Sequence, residues 1–155
     1  MKTKVFLNND LYLSKGYVIS IDKALLNFKF IFNFLNTESY WAKGISEKKL
    51  QKAIENSICF GVYHDKEQIG FARVITDQST FAYLADVFII QSFRKQGLSK
   101  WLMQTILAHA DFKDLRRWLL ATADAHQLYA KFGFEPLNNP DRFMQIFTPY
   151  PVCEK

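Results

Sequence analysis

The chain has 155 residues, 49% hydrophobic and 23% charged, which excludes a disordered or fibrous protein and allows an ordinary core. A formal net charge of +5 suits an anionic ligand, and would also suit weak nucleic-acid adhesion. Cys59 and Cys153 fit neither a disulfide frame nor a metal spacing, "MKTKVFLNND" has no apolar leader, and no apolar run could span a bilayer, so a reduced, cytoplasmic, metal-free protein is expected.

Residues 1–15 read as a loose or edge segment, and "YVISIDK" (17–23) as a strand. "ALLNFKFIFNFLN" (24–36) places Leu25, Phe28, Phe32 and Leu35 at helical spacing. "SEKKLQKAIENS" (46–57) predicts a second helix, N-capped by Ser46, with Leu50, Ala53 and Ile54 facing inward. Three strand-like runs follow, 58–64, 68–76 and 80–90, joined by the short polar links "DKE" and "DQS" that favour hairpins. The third, "TFAYLADVFII", is apolar on both faces and belongs at the centre of a sheet.

A long helix is expected from Gly97 to about Ala110, with Leu98, Trp101, Leu102, Thr105 and Ile106 inward. "RRWLLAT" (116–122) reads as a buried strand, and "DAHQLYAKF" (124–132) as a helix that Gly133 ends. One or two strands, broken at Pro136 and Pro140, close the chain. The order β-α-α-β-β-β-α-β-α-β-β predicts one α/β (α+β) domain over 1–155, with its core at about 17–148.

The most informative stretch is Arg94-Lys95-Gln96-Gly97-Leu98-Ser99, where a buried strand gives way to a helix. A helix N-terminus offers unpaired N–H groups and the positive end of the dipole. Gly97 lets a ligand approach the main chain, Ser99 keeps the next turn small, and Arg94 and Lys95 add charge. A phosphate or pyrophosphate suits such a mouth. The spacing matches neither G-x-x-x-x-G-K-[ST] nor G-x-G-x-x-G, so neither nucleotide hydrolysis nor a dinucleotide fold is indicated.

"IIQSFRKQGLSKWLM" resembles the signature V-x-P-x-x-[QR]-x-x-G-x-[GA] of the GNAT superfamily of N-acetyltransferases, with Ile89 at the valine position, Arg94 and Gly97 in place, and two departures, Gln91 for proline and Ser99 for the final Gly/Ala. "TADAHQLYAKFGF" resembles the same family's N-x-x-A-x-x-x-Y-x-K-x-G-F through Ala125, Tyr129, Lys131, Gly133 and Phe134, with Thr122 in place of asparagine. The resemblance implies a mixed, mostly antiparallel central sheet of six or seven strands flanked by about four helices. It implies acetyl-CoA as cosubstrate, its pyrophosphate on Arg94, Lys95, Gln96, Gly97, Leu98 and Ser99, and its pantetheine beside Phe88, Ile89 and Ile90. Thr122 and Ala125 would contact the cofactor from the second motif.

The resemblance also assigns Tyr129 as proton donor to the departing thiolate; read by itself, it is a core tyrosine. Asp86 is a lone carboxylate in an apolar strand, either a base or ammonium anchor, or the buried partner of Arg73. A two-residue turn at Gln78-Ser79 would bring Arg73 and Asp86 to one face, and a three-residue turn would separate them. Arg73, Tyr40 and Trp41 are candidate acceptor contacts, the aromatics alternatively interface residues. The resulting expectation is transfer of an acetyl group to a small-molecule amine by direct attack. Rivals are another acyl-CoA donor, a CoA-binding module without turnover, and, least favoured, a basic nucleic-acid-binding domain. Homodimerisation stays open.

Overall fold

The structure is a computed structural model that describes residues 7–151. Its sheet has five strands in the order β1 (Tyr17–Ser20), β2 (Ile58–His64), β3 (Glu67–Thr76), β4 (Phe81–Ile89) and β5 (Arg117–Leu119). The first four are antiparallel neighbours, and β5 lies parallel to β4. The α-helices are α1 (Asn9–Ser14), α2 (Phe28–Asn33), α3 (Glu47–Glu55), α4 (Leu98–Leu107) and α5 (His126–Ala130). Among the described residues, no helix is long and apolar enough to cross a membrane.

Strand alternation sends side chains to two separate cores. One face carries Phe60, Val62, Ala72, Val74 and Leu84, packed against Trp101, Leu102, Met103 and Ile106 of α4. The other carries Cys59, Phe71 and Phe88 against Ile31, Phe34 and Leu35 of the α2 region and Leu50 and Ile54 of α3. A central strand covered on both sides, as the apolar run at 80–90 predicted, is therefore what β4 is.

The β2–β3 link is a tight turn with Asp65 (φ 47°) and Lys66 (φ 75°) both left-handed and His64 paired to Glu67. That backbone twist suits two flanking strands. Asp77 organises the β3–β4 link, its Oδ1 accepting the N–H groups of Ser79, Thr80 and Phe81.

Several expectations need correction. Residues 9–14, read as loose, form α1, because Asn8 caps it by accepting the Leu11 N–H. The predicted helix over 24–36 is broken. Asn27 accepts the Phe30 N–H and starts α2 there, and a π turn over Phe34–Glu38 follows it. The buried face is Ile31, Phe34 and Leu35, while Leu25 is exposed. The strand over 116–122 keeps only Arg117–Leu119. The closing strands do not form: a 3-10 turn at Pro140–Arg142 leads into residues 143–151, which join no helix or strand. The sheet thus has five strands instead of six or seven.

Candidate active site

β4 and β5 pair only at Phe81–Arg117, Ala82–Trp118 and Tyr83–Leu119. Beyond Tyr83, β4 continues to Ile89 while β5 has ended, so the sheet opens along one edge of β4. A cavity of about 300 Å³ lies in this opening, lined by Tyr40, Trp41, Arg73, Asp86, Asp124 and Tyr129 together with short stretches of β4 and its neighbours.

Asp86 enters the cavity through a β-bulge. Arg73 pairs with Ala85 and Phe71 with Phe88, so two β4 residues, Asp86 and Val87, oppose Ala72 alone. Asp86 has φ 55°. This left-handed conformation suits aspartate better than most residues with a Cβ. The register at the link is odd, Thr76 opposite Ala82, and without a bulge it would send Arg73 and Asp86 to opposite faces. The extra residue restores the shared face that a two-residue turn was expected to provide. Asp86 Oδ2 accepts from Arg73 Nε at 2.8 Å and Oδ1 from Trp41 Nε1 at 3.1 Å, and Arg73 Nη1 donates to Ser57 Oγ at 3.1 Å. Both carboxylate oxygens are engaged, so Asp86 is fixed in place with its burial offset by charge and hydrogen bonds.

Tyr129 sits in α5 and is buried at 8% exposure. Its hydroxyl makes no hydrogen bond among the described residues, although it borders the cavity. Burial, then proximity to Tyr40 and Asp124, pushes the phenol up to about 12. Tyr40 reaches the segment that leads into α5, its hydroxyl accepting the Ala123 N–H at 2.9 Å and lying 3.5 Å from Asp124 Oδ1. Trp41 meets Tyr40 edge to face at 5.0 Å. The π turn that ends at Glu38 delivers both aromatics to the cavity rim. Thr122 Oγ1 accepts the Ala125 N–H at 3.0 Å, so this side chain holds the entry to α5.

The second half of the site lies along the same edge. A cavity of about 340 Å³ is lined by Ile89, Arg94, Lys95, Gly97, Ser99 and Lys100 among others. Gly97, φ 80°, precedes α4, whose first N–H groups have no helical acceptor. Arg94 Nε donates to Ile89 O at 2.8 Å and ties the loop to the strand end. From behind, Tyr17 Oη donates to Gln96 Oε1 at 2.7 Å and Tyr12 Oη to Gln96 O at 3.2 Å. Gln96, expected among the cofactor contacts, spends its side chain on this brace.

Ile90 N–H pairs with Ile69 O, and by strand alternation the Phe88 N–H also points toward β3. By the same alternation the Ile89 N–H turns to the open edge. The Phe88 ring stacks on Phe34 at 3.7 Å in the core.

Arg73, Asp86, Tyr40, Trp41 and Tyr129, the catalytic and acceptor-contact candidates, all line one cavity. Sequence reasoning missed Asp124, whose only signal was its place in the polar run between β5 and α5. It also missed Ser57, which holds Arg73 from the end of α3.

An open edge along β4, running from a titratable cavity to a helix mouth rich in cations, is a mould for a long ligand with an anionic middle. The sequence profile of the Acetyltransferase (GNAT) family matches residues 28–134, which include this whole arrangement except α1, β1 and the end of the chain. A candidate GNAT-family acetyltransferase from Xanthomonas campestris pv. campestris, known from a crystal structure, is 43% identical with a TM-score of 0.86, covering 89% of this chain and 97% of that one. A candidate acetyltransferase of Gibberella zeae is 33% identical, over 74% of this chain and 76% of its own length. A GNAT-family acetyltransferase from Elizabethkingia anophelis, solved with acetyl-CoA bound, shares the fold at a TM-score of 0.60 and 14% identity, covering 88% of this chain and 91% of that one. With the family profile spanning well over half its length and laid over this split sheet, the chain belongs to the GNAT family of acetyltransferases.

Proposed function

We propose that the chain works as one domain that transfers an acetyl group from acetyl-CoA to the amine of a small molecule. The observation that carries this reading is the cavity between β4 and β5, in which the unpartnered Tyr129 hydroxyl faces an acidic wall. Arg73 balances Asp86 within its ion pair, and Asp124 is left as surplus negative charge. Such a cavity favours a cationic amine over a carboxylic acid.

The residues present fit acetyl-CoA. Arg94, Lys95 and the N–H groups of Leu98, Ser99 and Lys100 would hold its diphosphate, and the amide of Ile89 its peptide-like arm. Bound there, it supplies an activated acetyl thioester. Asp86, fixed by Arg73 and Trp41, orients an incoming ammonium group and accepts its proton directly or through water. Tyr40 and Trp41 wall the acceptor side.

Tyr129 keeps its proton on Oη throughout the neutral range, because its pKa is about 12. Full transfer to a thiolate of ordinary pKa, about 8.5, is uphill from a phenol that burial holds above its usual range. The phenol therefore acts as a hydrogen-bond donor whose proton shifts only as negative charge builds.

The test is release of the CoA thiol with a panel of primary amines. Tyr129→Phe should lower turnover by roughly 10²-fold while leaving the acetyl-CoA-induced rise in melting temperature intact. A melting shift without thiol release from any amine would overturn the enzyme reading and keep the cofactor reading. No melting shift would overturn both.

A further inference from the structure

Beyond Tyr83 and Leu119 the backbones of β4 and β5 part, and among the described residues no main-chain hydrogen bond joins them further along. Side chains take over where the ladder stops. Trp41 Nε1 donates to Asp86 Oδ1 on β4 at 3.1 Å. The adjacent Tyr40 Oη accepts the Ala123 N–H at 2.9 Å and lies 3.5 Å from Asp124 Oδ1, on the segment that follows β5. The two rings meet edge to face, with centroids 5.0 Å apart and planes at 84°. One dipeptide therefore spans the mouth of the split, from one diverging strand to the other.

The dipeptide is held stiffly and takes little part in packing. Ser39, itself buried, donates Oγ–H to Leu35 O at 2.6 Å and accepts the Ala42 N–H at 3.1 Å, which pins the chain on both sides of the pair. Tyr40 is 57% exposed and Trp41 41%, and neither belongs to the two cores. Two half-exposed rings whose polar atoms are both committed across a cleft work as a tie, and removing one hydrogen bond leaves the cores intact. The tie joins the two groups on which the reaction depends. At its β4 end is Asp86, and at its other end Asp124 leads into α5, which carries Tyr129. After burial, Tyr40 and Asp124 are the neighbours that raise the Tyr129 phenol.

We infer that Tyr40 and Trp41 are positioning residues that fix the width of the split, and with it the placement of Asp86 on the amine side relative to Tyr129 on the thiol side. Loss of either hydrogen bond frees the tie as a whole, because the remaining ring then holds one side of the cleft only. A displacement of reacting groups by about 1 Å costs up to roughly 10²-fold in rate. The kinetic consequence rests on the acetyl transfer proposed above, and the mechanical one does not.

The test uses the full chain with Tyr40→Phe, Trp41→Phe and both together, each change keeping a ring and removing one polar tether. The mechanical readout is amide exchange at Ala123. Trp41 makes no hydrogen bond to that amide, yet Trp41→Phe should speed its exchange by roughly 5-fold, about what one lost hydrogen bond allows. The acetyl-CoA-induced rise in melting temperature should persist in all three variants. The kinetic readout is thiol release with the primary amine that reacts fastest with the native chain. Each single variant should lose roughly 10-fold or more in kcat with the KM for the amine little changed, and the double variant should lose no more than the worse single one, since both changes break one tie. Losses that multiply, or a raised KM at native kcat, would make the rings independent acceptor contacts and overturn the inference. An Ala123 amide that ignores Trp41→Phe overturns it whether or not any amine reacts. Faster exchange at Ala123 with no reacting amine supports the tie and overturns the proposed function instead.

Discussion

Asp86 combines three constraints: a left-handed backbone, burial at 8% exposure, and an ion pair with Arg73. Asparagine tolerates the same backbone and keeps an acceptor for Trp41, so Asp86→Asn removes charge with little added strain. If Asp86 orients the amine, kcat/KM falls while acetyl-CoA still raises the melting temperature. The stranded Arg73 costs up to about 3 kcal/mol of stability, the lower end for a broken buried pair, since some hydrogen bonding survives. Arg73→Met in the same chain should recover much of that stability, and activity should stay low. Recovery of activity together with stability in the double variant would make the pair purely structural. Alanine at 86 would confuse the two effects, because it adds backbone strain to the loss of charge.

The loop entering α4 is built by several elements at once. Gly97 has φ 80°, and a Cβ there would lie 2.5 Å from Tyr12 Oη. Its glycine is thus required by the packing of α1 as well as by any ligand, and Gly97→Ala should destabilise the chain by at least ~1 kcal/mol without ligand present. In a Tyr12→Phe background the steric part is relieved, so the same substitution should cost less. Equal cost in both backgrounds, measured by denaturant unfolding, would show that backbone strain alone is at work. α1 itself was hidden in the sequence, since its six residues have no buried side chain of their own to impose a period. The hairpins were legible because turn residues and alternation are local: β2 and β3 lie within one residue of the boundaries read from pattern. The bulge was not, because it depends on one backbone angle inside an apolar run, although the aspartate at that point signalled the site. The strands expected after Pro136 do not form: among the described residues, 143–151 join no ladder of the sheet.

Across the molecule, three buried protons oppose alkali. Burial raises Cys59 to about 11 from its ordinary 9.0, and raises Tyr63 and Tyr129 to about 12 from 10.0. The Tyr63 hydroxyl is buried without a partner, so it gains nothing by ionising in place. In each case the unfolded chain releases its proton at lower pH than the folded one. Stability from these groups is complete below about pH 9 and declines as pH rises toward about 12, because the unfolded state binds fewer protons there. Melting temperature followed from about pH 8 upward should fall in this window, and Cys59→Ala should remove the earliest part of the fall. A flat profile would mean that these groups are solvated. Cys59 itself lies in the core with Phe71 and Phe88 and is not among the residues that line the cavity.

The opening between β4 and β5 has a cost that a closed sheet avoids. From Leu84 to Ile89, a strand designed for the interior shows one unpaired edge, and such edges recruit other strands. A ligand lying along that edge works as a removable strand, so the fraction of molecules carrying it at any moment sets how many present an adhesive surface. On the function proposed above acetyl-CoA is that ligand, and turbidity on warming should rise later in its presence than without it, whatever reaction follows.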